Sequence, residues 1–118
     1  MAYEKLAVLT RKLHERTIAG KIAWEVTALE WMFQSVFGGN LIQISEIGND
    51  IKIAILNAEG DQIESFTDVD IKLLFSDPGK SFSLMTDIYS IAKRLALGTD
   101  QAIDSILLIL EEEEKEED

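Results

Sequence analysis

The chain has 118 residues, 47% of them hydrophobic, with one proline and no cysteine; that length supports a single core burying roughly two-thirds of the unfolded surface. The composition excludes disorder, disulfides and thiolate chemistry, and no apolar run approaches the ~20 residues that span a bilayer. The net charge of −11 is unevenly spread: Glu111 to Asp118 hold seven acids and one lysine, which leaves the other 110 residues at −5.

Within the first 21 residues Lys5, Arg11, Lys12, Arg16 and Lys21 stand against Glu4 and Glu15, a local +3. No second basic stripe exists to neutralise phosphates, so nucleic acid is not an expected partner. The same segment reads as a helix from Tyr3 to Ala19, with Leu6, Leu9 and Leu13 on one face and Gly20 at its end. It starts without an apolar leader, which makes a cytoplasmic location the expectation and a membrane an unexpected partner. Ile22, Trp24 and Val26 alternate with Ala23 and Glu25, predicting a short strand, and Thr27 to Trp31 reads as a connection.

Gly38-Gly39-Asn40, Gly48-Asn49-Asp50 and Asn57 to Asp61 divide the next stretch into short apolar runs. Gly and Asn accept the positive φ that hairpins demand, so strands are predicted at Met32–Phe37, Leu41–Ile47, Ile51–Leu56 and Gln62–Thr67. Ile71 to Phe75 fits either an edge strand or one helical turn, and Ser76 to Lys80 a loop. From Ser81 the period becomes 3.6, with Phe82, Met85, Ile88, Tyr89, Ala92, Leu95 and Ala96 on one stripe as far as Gly98. Thr99 caps a last helix striped by Ile103, Ile106, Leu107 and Leu110. Clustered glutamates oppose a helix C-terminus, so residues 111–118 are expected to fray or extend as an acidic tail beside one domain spanning 1–110. The fold class is α+β: an N-terminal helix, an antiparallel meander of four or five strands, and two C-terminal helices packed on the sheet.

Side chains that could carry chemistry have plainer explanations. His14, the single histidine, borders the apolar stripe of the first helix, and with carboxylates alone it makes no zinc set. Asp68 and Asp70 share one side of an extended chain and could hold Mg²⁺ or Ca²⁺, but turn-forming aspartates in a solvated connection account for them better. Gly79-Lys80-Ser81 lacks the rest of a phosphate loop. No serine occupies a Gly-x-Ser-x-Gly turn, and Asp104-Ser105-Ile106-Leu107 lies inside a helix rather than at the start expected of a carrier serine. The last helix is too acidic to read DNA. No cofactor motif is present.

The apolar pattern exceeds what one sheet face needs. Met32, Phe33, Val36 and Phe37 put large groups on both sides of one strand, and Leu107, Leu108, Ile109 and Leu110 nearly encircle a helix. A covering subunit is therefore expected, most simply a second copy in a homodimer. Trp31, Phe33, Phe37, Leu108 and Ile109 are the interface candidates.

The segment Ala19-Gly20-Lys21-Ile22-Ala23-Trp24-Glu25-Val26-Thr27, with Phe33 after it and Tyr89-x-x-Ala92-Lys93-Arg94-x-Ala96-Leu97-Gly98 further on, resembles small prokaryotic or phage proteins of uncharacterised function. The resemblance implies a cytosolic protein and no particular activity.

Three functions are compatible with these features. The first is a non-enzymatic interaction or oligomerisation module, like small acidic chaperones or inhibitors. The second is a binder or enzyme for an anionic ligand, with Tyr89, Lys93 and Arg94 lining a pocket between the sheet and the 81–97 helix. The third is an acidic DNA mimic, disfavoured because over half of the charge sits in eight terminal residues.

Overall fold

Turn chemistry lays out the middle of the chain. A computed structural model, which describes residues 3–117, places helix α1 (Tyr3–Ile18) before a five-stranded antiparallel meander in the order β1 (Glu25–Val26), β2 (Met32–Phe37), β3 (Asn40–Ile47), β4 (Asp50–Leu56) and β5 (Gln62–Thr67). A short helix α2 (Asp68–Ile71), a 3-10 turn at Lys72–Leu74, and helices α3 (Lys80–Leu97) and α4 (Thr99–Glu117) follow. The fold is α+β. The loop between β4 and β5 shows how the turns work: the Asn57 side chain accepts the Glu59 and Asp61 amides at 3.1 and 3.0 Å, and Gly60 takes φ of 87° to close the turn.

Cross-strand partners share a face, so the register sorts the side chains. Phe33 pairs with Ile44, Ile44 with Ile53, and Ile53 with Phe66. All four are buried, and they share one core with Trp24, with Leu6 and Leu13 of α1, and with Met85, Ile88 and Ala92 of α3. α3 runs across β1 to β4, and α1 lies beside it. Ser81 donates to the Asp68 carbonyl at 2.9 Å, fastening the start of α3 to α2.

The opposite face carries Met32–Ser45–Lys52–Thr67, Gln34–Gln43–Ala54–Ser65 and Val36–Leu41–Leu56–Gln62. Its middle is polar, with Gln43 donating to Gln34 at 3.2 Å, and among the described residues no helix packs on it. The apolar groups on both sides of β2 and β3 therefore reflect one buried face and one mixed face, and most of the uncovered apolar surface lies elsewhere.

Three details differ from expectation. The strand predicted at Ile22–Val26 shrinks to Glu25–Val26, because Ile22 and Trp24 are core side chains and the Ala23 carbonyl accepts the Ser35 hydroxyl at 2.8 Å. Of the two C-terminal helices only α3 packs on the sheet; among the described residues α4 touches α3 alone. The acidic end is helical through Glu117 rather than coil, since glutamate is a good helix former and Lys115 lies four residues after Glu111.

The register makes Phe33 a core residue. Phe33→Ala should lower the unfolding free energy by about 3–5 kcal/mol in urea titrations, whereas Val36→Ala on the mixed face should cost less than about 1 kcal/mol.

Candidate functional site

Tyr89, Lys93 and Arg94 follow one another around α3, and the structure sends them to three places. Tyr89 is buried, its ring tilted against Phe33 with centroids 5.7 Å apart. Arg94 points toward α4 and pairs with Asp100 at 2.6 Å. Lys93 alone reaches a cleft of about 410 Å³ between the end of α3 and the 26–30 connection, where Glu30 lines the same wall. The Thr27 hydroxyl beside it accepts the Leu29 amide at 3.1 Å and sits within hydrogen-bonding distance of the Leu29 and Met32 carbonyls. One lysine facing one glutamate over apolar walls does not make an anion site.

Burial raises the Tyr89 phenol above its ordinary pKa, and the Glu46 carboxylate adds to the shift. His14 bridges α1 to Asp87 of α3 at 3.1 Å, a contact between packed helices. Asp68 is buried and accepts the Ile51 amide at 3.3 Å, while Asp70 accepts the Thr67 amide at 2.9 Å. Both carboxylates are thus spent on backbone N–H groups at the β5–α2 corner.

The interface candidates fare differently from one another. Phe33 is inside, 1% exposed, because its register places it under α3. Trp31 is half-exposed beside a shallow hollow with Glu46 and Ile47. Leu108 and Ile109 belong to the most conspicuous surface of the molecule. Ile103, Ile106, Leu107, Leu108, Ile109 and Leu110 are each 44–59% exposed on a helix whose only neighbour among the described residues is α3.

Phe37 borders a second surface that the sequence pattern does not reveal. With Leu9, Leu13, Ile22 and Ile42 it forms an apolar groove of about 220 Å³ between α1 and the sheet, rimmed by Lys12 and Arg16. Arg11 is otherwise engaged, donating to the Leu74 carbonyl at 3.2 Å with its guanidinium 4.4 Å from the centre of the Phe75 ring. Lys12 and Arg16 have no ion-pair partner among the described residues. The local +3 of the first 21 residues was the available signal, but its division into engaged and unengaged cations needs the packed helix.

No protein-family model matches the chain, and comparison with curated proteins and with solved structures finds no match. Among the described residues no helix is long and apolar enough to cross a membrane.

The raised Tyr89 pKa has a measurable consequence. The folded state holds the phenolic proton more tightly than the unfolded state, so this contribution to stability is intact below about pH 10 and is lost as pH rises through the folded value. Urea midpoints should fall more steeply for the wild type than for Tyr89→Phe as the pH rises above about 10, and equal slopes would contradict the assignment.

Proposed function

We propose that this protein is a non-enzymatic interaction module that associates with itself through α4. The observation that carries this reading is the helix of Thr99–Glu117, whose large apolar residues are all about half-exposed and whose only contact among the described residues is with α3. Most helical stability in proteins comes from tertiary packing of an apolar face. Glutamates at 111–114 and 116 oppose the helix dipole in its last turns. A helix that is apolar on most of its sides is ordinarily a buried one. Each large aliphatic side chain moved from exposed to fully buried contributes about 1.5–3 kcal/mol, so covering the stripe of Ile103, Ile106, Leu107 and Leu110 supplies the missing stabilisation.

The dispersal of Tyr89, Lys93 and Arg94 favours this reading over an anionic-ligand pocket. Concentration of the acids at the end of α4, rather than along the body, favours it over a DNA mimic. The homodimer is the simplest closed arrangement, because an unpartnered surface repeated on identical chains is satisfied by a two-fold axis.

Light scattering at micromolar concentration should find a mass above that of one chain. The double variant Leu107→Glu/Leu110→Glu should return it to one chain with circular dichroism of the body unchanged, since neither residue is part of the core. A wild type with the mass of a single chain, or a variant that keeps the wild-type mass, would end this reading.

A further inference from the structure

The groove beside α1 and the stripe of α4 match in chemistry and in spacing. In helical projection Lys5, Lys12 and Arg16 fall on one side of α1, next to Leu9 and Leu13 of the groove. All three cations are exposed, and none has an ion-pair partner among the described residues. On α4 the stripe Ile103, Ile106, Leu107 and Leu110 is flanked along one side by Asp100, Asp104 and Glu111. Reading α1 backwards from Arg16, the steps to Lys12 and then Lys5 are four and seven residues; reading α4 forwards from Asp100, the steps to Asp104 and Glu111 are also four and seven. The two charge ridges therefore coincide only when the helices run antiparallel.

Resting on the reading of α4 as the self-association element, we infer that α4 of one copy docks antiparallel along α1 of a second copy. Its aliphatic stripe enters the groove of Leu9, Leu13, Ile22, Phe37 and Ile42. Asp104 faces Lys12 and Glu111 faces Lys5, while Asp100, which already pairs with Arg94, lies beside Arg16. Antiparallel docking also sets the glutamates after Leu110 beside the N-terminal turn of the partner's α1, where exposed N–H groups and the helix dipole favour negative charge. The same glutamates disfavour pairing of α4 with α4: side by side the two acidic ends adjoin, and head to tail each meets Asp100 and Asp104. A two-fold axis makes the exchange reciprocal, each copy giving one helix and receiving one.

A charge-swap experiment tests the pairing directly. Lys5→Glu/Lys12→Glu reverses two charges of the α1 ridge, and Asp104→Lys/Glu111→Lys reverses their counterparts on α4; all four positions are exposed, so the fold is retained. In sedimentation velocity each variant alone should dissociate at concentrations at least tenfold above those that dissociate the wild type. An equimolar mixture should recover a dimer, because in the mixed species both exchanged contacts again join opposite charges. If the α1 variant dimerises like the wild type while Leu107→Glu/Leu110→Glu does not, α4 pairs elsewhere: this inference is overturned and the self-association reading stands. Failure of the mixture to recover a dimer also overturns it. A wild type that sediments as a single chain overturns both readings, and charge reversals that act only within a single-chain particle place the contact inside one molecule.

Discussion

The packing of α3 across one face of the meander is the contact on which everything else depends. Met85, Ile88 and Ala92 are fully excluded from solvent there, together with Ile44 and Ile53 of the central strands. With α3 fixed on the sheet, α1 has a wall to lie against. His14 then meets Asp87, and Trp24 finds the Thr17 hydroxyl at 3.2 Å. The apolar groove beside α1 is a by-product of the same arrangement. α1 packs on α3 and leans over the sheet without closing on it, so Phe37 stays partly exposed at the margin beside the buried Ile42.

How much of this was legible depends on the distance over which each signal acts. The meander was readable because hairpins are local: Gly38-Gly39, Gly48-Asn49 and the Asn57–Asp61 loop specify their own geometry. The α2 corner also had a local signature, Thr67 followed three residues later by Asp70, yet the apolar run after it obscured the helical turn. Strand Ile22–Val26 was over-read because alternation marks which side chains are buried, not whether the backbone has a partner. Position was harder than type. Tyr89, Lys93 and Arg94 occupy consecutive steps around one helix, and only the packed sheet decides that the first is core, the second lines a cleft and the third turns toward α4.

The last helix is where local and global preferences part. Its composition was correctly apolar on nearly every side, and the natural expectation was that it would lie on the sheet. The sheet already has its cover in α3 and α1, while its second face presents Gln34, Gln43, Lys52 and Ser65, which need none. A helix with this much exposed aliphatic surface, touching α3 alone among the described residues, is a conflict between local composition and global packing.

The junction that carries α4 has a mechanical consequence. α3 and α4 are joined through the single residue Gly98, whose φ of 64° turns the chain sharply. Nineteen residues follow, a rod of about 28 Å, so a swing of about ten degrees at the base sweeps the tip through about 5 Å. The Arg94–Asp100 contact straddles that pivot like a guy-line and sets the resting aim of the rod. Being exposed, it resists weakly. A small rotation about Gly98 therefore moves the exposed aliphatic side chains of α4 by several ångströms relative to the sheet.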